Sequence, residues 1–286
     1  MIQSMTGYGK SVLQLPTKKI SIEIKSLNSK NLDLNTRMPS MYREKELPIR
    51  KLIASKLIRG KVDFSLYMEI TGEETSTQIN NAVVKQYIKQ LKEVINTGDE
   101  TEYLKMAVRM PDAMTTEREE MDEDEWHEIA KEIDSSLEKI EQYRLDEGQS
   151  LEADFTERVK NISQLLDEVI AMDPDRIEGV RERLTKGIAD IKEKVDENRF
   201  EQELVYYIEK FDITEEKVRL KNHLDYFIKA VKSDDSNGKK LGFISQEMGR
   251  EINTIGSKSN HAPMQKLVVQ MKDELEKIKE QLLNVL

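Results

Sequence analysis

Hydrophobic periodicity changes once along this chain, from two residues to about three and a half, and few architectures accommodate both. Over Lys19–Lys25, Ile20, Ile22 and Ile24 alternate with polar neighbours, the repeat of a strand with one buried face. Val62, Phe64, Leu66 and Met68 alternate in the same way. Pro16-Thr17-Lys18 reads as a turn, which predicts a hairpin between the segment ending at Leu15 and the first of these strands. Between the strands, Tyr42–Ile58 reads as a helix through Leu47, Leu52, Ile53 and Leu57, with Pro48 in its first turn or at a kink. From Asn80 onward the spacing is helical. At the far end Met264, Val268, Met271, Leu275, Ile278, Leu282 and Val285 step by 4, 3, 4, 3, 4 and 3, a heptad seam. That seam suits packing on another helix of the chain as well as it suits a subunit contact.

The middle of the chain predicts a helical hairpin. Residues 126–170 read as one or two long helices with Gly148 as an interruption. Asp173-Pro174 pairs a cap residue with a first-turn proline, the start signal for a second helix through Ile177, Val180, Leu184, Ile188, Ile191 and Val195. The expected fold is therefore α+β: an N-terminal antiparallel or mixed sheet with a helix, a long helical middle hairpin and a C-terminal helical domain. The expected divisions are 1–125, 126–200 and 201–286.

Composition narrows the chemistry. The 286 residues include no cysteine, which excludes disulfides, zinc–thiolate sites and thiol catalysis. Hydrophobic residues at 37% against charged residues at 35% fit long, exposed helices. The opening residues show no basic segment followed by an apolar one, and no apolar run approaches the roughly 18 residues of a membrane helix. A soluble intracellular protein is expected. Net charge is −10, but residues 1–72 hold 13 Lys/Arg against 6 Asp/Glu, a local excess of +7. A basic N-terminal part can attract a polyanion locally, because fields decay over about 8 Å at physiological salt. Aromatic residues make up 6% of the chain and do not interleave with basic ones along it, so no base-stacking pattern is legible.

Chemistry concentrates in Gln246–Ser259. Glu247 and Glu251 lie four apart, on one helix face, followed by Arg250, Asn253 and Gly256-Ser257-Lys258-Ser259. Carboxylates suit a hard divalent cation, and the arginine and Ser-Lys-Ser loop suit phosphate. A solvated helix face, an Arg250 ion pair and a C-terminal cap at Gly256 account for the same residues without function. On a second helix Asp212, Glu216, Arg219 and His223 fall at offsets 0, 4, 7 and 11, one stripe of two acids, a guanidinium and an imidazole. A capping box of Asp212 and Glu215 explains part of it but leaves His223 over. His261, before the last helix, reads as local capping. Two decoys fail. Gly9-Lys10-Ser11 lacks the glycine five residues earlier that a phosphate loop needs, Ser4 standing there, and His127-Glu128 lacks a second histidine at Lys131.

Several segments together resemble the YicC/YloC family of bacterial proteins. They are Ser4–Gly9, Lys25–Asp33, Arg37–Pro39 and Arg59–Asp63 at one end, and Asp212–Glu216, Arg219–His223, Gly238–Leu241, Gln246–Met248 and Arg250–Ser259 at the other. Lys25 replaces the arginine usual there, Gly242 and Gly249 replace Asp and Asn, and Leu282-Leu283-Asn284 replaces a more polar run. The resemblance implies a cytoplasmic endoribonuclease that cleaves single-stranded RNA with a divalent cation, Mg²⁺ or Mn²⁺, as a homohexamer. It implies neither a membrane nor a small-molecule cofactor. Carried over by motif, Glu247, Glu251 and His223 become catalytic candidates, and Asp212, Glu215, Glu216, Glu247 and Glu251 metal ligands. Arg219, Arg250, Asn253 and Lys258 become phosphate contacts, with Lys25, Lys30, Arg37, Arg59 and Lys61 guiding RNA from the basic N-terminal part. The rival expectation is a non-enzymatic RNA-binding or adaptor oligomer whose acids serve subunit contacts. A scaffold recruiting another nuclease ranks below it.

Overall fold

A computed structural model describes residues 2–71, 78–95, 99–115, 121–190, 197–233 and 238–286. The chain forms two compact units. One, the sheet unit, comprises Tyr8–Ser26 and Asn31–Ile140; the other, the helical unit, comprises Met1–Gly7, Leu27–Lys30 and Glu141–Leu286.

Strand alternation is realised as expected in the sheet unit. Strands β1 (Gly7–Gln14), β2 (Lys18–Leu27), β3 (Leu32–Arg37) and β4 (Gly60–Ile70) form one sheet in the order β1-β2-β4-β3. The Leu15 N–H donates to the Lys18 carbonyl at 2.8 Å, closing the expected turn at Pro16–Thr17. Strand β3 runs parallel to β4, Leu32 opposite Gly60 and Arg37 opposite Ser65, so the sheet is mixed. Its six residues carry only two alternating apolar side chains, Leu32 and Leu34, too weak a pattern to announce a strand. The crossover from β3 to β4 is a 3-10 turn at Ser40–Lys45 and helix α1 (Glu46–Lys56), with Pro48 tolerated in the first turn of α1. Ile20, Ile22 and Ile24 of β2 and Val62, Phe64 and Leu66 of β4 are buried against Ile49 and Ile53 of α1 and against Ile129, Ile133, Leu137 and Ile140. Each such side chain contributes about 1.5–3 kcal/mol on burial. Helices α2 (Asn81–Val94) and α3 (Glu100–Ala107) and a two-residue ladder, β5 (Gln78–Ile79) with β6 (Met114–Thr115), enclose a small core of Val84, Ala107 and Ala113.

Helix α4 (Glu123–Asp190) is the long helical middle, and it corrects two expectations. It runs straight through Gly148, where a Cβ would stand 2.0 Å from the Ile2 carbonyl oxygen; the glycine serves close approach of the N-terminal segment, not a break. It also runs through Pro174, so no second helix starts there. A proline inside a helix costs about 3 kcal/mol. Here the would-be cap, Asp173, is buried and tied instead to Arg176 at 2.7 Å and to Lys217 at 2.6 Å. Tertiary ion pairing overrides the local start signal.

In the helical unit, α5 (Glu197–Phe211), α6 (Thr214–Val231), α7 (Gly238–Lys258) and α8 (Ala262–Leu282) follow; α6 packs on α7 and α7 on α8. Of the loop expected at 233–238, residues 234–237 lie outside those described. Every member of the heptad seam from Met264 to Val285 is buried in one core with Leu220, Leu224 and Phe227 of α6, Ile252 and Ile255 of α7 and Phe155 of α4. The seam therefore packs within this chain. Gly256 is not a cap: α7 continues past it to Lys258, and a Cβ at Gly256 would meet Val268 Cγ1 at 2.9 Å.

Candidate active site

Helices α6 and α7 bring the two sequence motifs onto one helix pair, with different fates for neighbouring side chains. Glu215 and Glu216 are adjacent in α6, roughly 100° apart on the helix. Glu215 is exposed and paired with Arg219. Glu216 points inward, 6% exposed, and its Oε1 accepts from Lys258 Nζ at 2.7 Å. Glu216 Oε2 is buried with no hydrogen-bond partner. Arg219 thereby leaves the expected stripe, while His223 stays half-buried further along α6. Asp212 lies outside the helix: its Oδ1 accepts from the Thr214 N–H at 3.0 Å and from the Thr214 hydroxyl at 2.7 Å. These bonds, with Lys217 and Lys258 nearby, hold its carboxyl below the usual range. Glu215 completes no capping box, because its carboxylate is with Arg219.

On α7, Glu247 pairs with Arg250 at 3.0 Å on the surface, and Asn253 is exposed. Glu251, one turn on from Glu247, is only 8% exposed and takes no hydrogen-bond or ion-pair partner among the described residues. Its carboxylate oxygens still reach solvent, so the costly case, about 1–3 kcal/mol or more for a charged group, is the buried Glu216 Oε2. The acids are thus dispersed: no group of three His, Asp or Glu placed to hold a metal ion occurs among the described residues.

The junction of α7 and α8 also receives Arg176, which the sequence did not single out. Arg176 Nη2 donates to the Phe211 carbonyl at 2.8 Å, and its Nη1 to the Lys258 carbonyl at 3.3 Å. Lys258 Nζ reaches both Glu216 and the Asp212 carbonyl, the latter at 3.0 Å, which engages two of its three protons. Ser259 Oγ and His261 Nδ1 are buried without hydrogen-bond partners, so His261 gives no side-chain cap to α8. The i, i+3 spacing of Asp173 and Arg176 was the available sequence signal, masked by the proline between them.

Among the N-terminal cations, Lys25, Arg37 and Lys61 are exposed in the sheet unit and Arg59 is half-buried there. Lys30 is exposed in the short 27–30 segment of the helical unit.

Family profiles decide the kinship. The profile for the N-terminal region of YicC-like endoribonucleases matches residues 2–153, and that for their C-terminal part matches residues 169–286. The chain belongs to the YicC-like endoribonuclease family. Two relatives match over the whole of both chains, each named "Probable endoribonuclease YicC". The protein of Clostridioides difficile (strain 630) is 34% identical over 292 residues, and that of Haemophilus influenzae (strain ATCC 51907 / DSM 11121 / KW20 / Rd) is 28% identical over 287. The YicC-like C-terminal match includes Asp173, Arg176 and the whole α6–α7 pair. No helix among the described residues is long and apolar enough to cross a membrane.

Proposed function

We propose that this chain is a cytoplasmic endoribonuclease that cleaves phosphodiesters of single-stranded RNA as a homo-oligomer, hexameric as the family resemblance implies. The full-length likeness to YicC-like endoribonucleases supports the reaction class. One observation carries the site: Glu251, little exposed yet with solvent-reached carboxylate oxygens and no hydrogen-bond or ion-pair partner among the described residues, one turn from Glu247 in the α7 motif. Mg²⁺ and Mn²⁺ keep several waters and take one or two carboxylates beside substrate phosphates. Two acids on one α7 face fit that mode, so Glu247 and Glu251 would hold the ion, and a preformed three-acid cage is not required. When bound, the cation supplies charge stabilisation at the phosphodiester. By holding the ion, Glu247 and Glu251 would place that positive charge on the α7 face. Arg250 and Asn253, exposed on the same helix, contact phosphates. His223, half-buried on α6, moves a proton at the attacking or leaving oxygen. The sequence segments divide the labour, 1–125 guiding RNA by charge and 201–286 carrying chemistry.

A second reading has its own support. Asp212, Glu215, Glu216 and Glu247 each have a protein partner, as expected of acids that serve structure in a non-enzymatic RNA adaptor. Purified protein incubated with labelled single-stranded RNA and Mn²⁺, Mg²⁺ or EDTA separates the two, beside a Glu247→Gln/Glu251→Gln variant. Metal-dependent cleavage that falls at least about 100-fold in the variant, with assembly intact, is expected for direct stabilisation of developing charge. RNA bound but uncut by the wild type favours the adaptor.

A further inference from the structure

Helix α1 and the first part of α4 cover one face of β1-β2-β4-β3; the other face carries several exposed side chains among the described residues. On β1, Gly9 and Ser11 point inward, which turns Tyr8, Lys10 and Val12 outward; Tyr8 is 41% and Val12 45% exposed. On β4 the inward Val62, Phe64 and Leu66 turn Lys61 outward, and Tyr67 is 53% exposed. On β2 Lys25 is exposed and its Nζ lies 5.6 Å from the centre of the Tyr8 ring. Inward placement of Gly9 is compulsory, since a Cβ there would stand 2.1 Å from the Ser136 carbonyl oxygen, so the outward position of Tyr8 is built in. Aromatic and basic side chains that are scattered along the sequence thus share one face of the sheet, and Lys25 of β2 meets Tyr8 of β1.

The geometry points to a base-stacking platform for single-stranded RNA on this outer face, with Tyr8 and Tyr67 receiving bases and Lys25, Lys10 and Lys61 their phosphates. It rests on the endoribonuclease reading for its choice of polyanion, and adds base contacts to a surface otherwise assigned to charge alone. Exposed aromatics on an open four-stranded sheet are a general solution for single strands, because every base has a π-face. Charge favours a polyanion over the N-terminal part as a whole, since residues 1–72 carry a net +7 on a chain of net −10, although Asp63 and Glu69 of β4 share the face with Lys61 and Tyr67. Glu23 holds Lys10 at 2.8 Å and Lys25 at 3.3 Å on this face, so both ammonium groups stand ready for phosphate, Lys25 beside the Tyr8 ring.

The test is fluorescence anisotropy of a labelled single-stranded RNA in EDTA, against an abasic oligomer of equal length. Tyr8→Ala and Tyr67→Ala are each expected to weaken the base-bearing strand on the order of ten-fold, leaving the abasic oligomer unchanged. Tyr8→Phe and Tyr67→Phe should bind as the wild type does. Where alanine lowers the melting temperature, Tyr8→Leu and Tyr67→Leu repeat the measurement with apolar bulk and no ring. Unchanged binding in the alanine or leucine variants, equal loss for both oligomers, or a changed oligomeric state (a second copy covering the face) would each overturn the platform. RNA bound through the tyrosines but never cut with Mn²⁺ would instead sink the nuclease reading and leave the platform standing.

Discussion

Lysines of the helical unit and lysines of the sheet unit lead different lives. Lys217 and Lys258 are drawn inward, to Asp173 at 2.6 Å and to Glu216 at 2.7 Å, with side chains 15% and 32% exposed. Lys25, paired at 3.3 Å, keeps 58% of its side chain exposed, and Lys61 is exposed on β4. The first pair ties α6 to α4 and α7; the second pair faces solvent on a sheet. A basic residue in a functional motif is therefore not by itself a phosphate contact, and burial sorts the two uses. The contrast breaks most visibly at Asp173. Asp173→Ala leaves Arg176, its side chain 1% exposed, without its carboxylate. Loss of one member of a buried pair costs about 3–5 kcal/mol, which urea unfolding will read directly. A loss below about 1 kcal/mol would mean that the tie carries no weight and that Pro174 is tolerated for another reason.

Lys258 sharpens the comparison. Lys258→Ala strands the Glu216 carboxylate, but Lys258 is itself a third exposed, so a cost of about 2–3 kcal/mol is expected, below the full buried-pair value. The salt dependence of RNA binding should barely move. Lys61→Ala should do the reverse: within about 0.5 kcal/mol in stability, with the slope of log K against log salt shallower by about 0.7, one single-strand phosphate contact. Equal changes in slope for both variants would erase the distinction and restore Lys258 to the RNA surface.

How far this was legible depends on where the deciding interaction lies. The strands β2 and β4 and the seam of α8 follow from spacing alone, because one buried face dictates period two or three and a half. The α4 hairpin failed at Pro174 because local start signals weigh a residue against its neighbours, whereas Asp173 answers to Lys217, 44 positions away. The candidate acids were all nameable from the motifs, yet their sorting was not: nothing local distinguishes Glu215 from Glu216, and only the packing of α6 on α7 buries one and frees the other. Tyr8 and Tyr67 stood out no better, since only strand pairing brings Lys25 of β2 against Tyr8 of β1.

The smallest effect tests the entrance to α6. Asp212 has its carboxyl held below the ordinary range chiefly by the Thr214 hydroxyl, then by the Thr214 N–H and by Lys217 and Lys258. A carboxyl lowered in the folded state stabilises fully above its unfolded value, about 3.9, and that contribution disappears as pH falls through the folded value. Thr214→Ala removes the largest donor, so the Asp212 carboxyl should titrate higher by NMR, closer to the ordinary range. The stability lost should be about 1 kcal/mol or less, as for an exposed cap, present at neutral pH and vanishing in acid once the carboxyl is protonated in both proteins. Because Asp212 is also the residue whose carbonyl receives Lys258 Nζ, the same variant asks whether the cap and the lysine tie are one device. If Thr214→Ala and Lys258→Ala together cost more or less than their sum by over about 0.5 kcal/mol, the ion pair and the helix entrance are coupled. Additive losses would make the Lys258 tie independent of the cap.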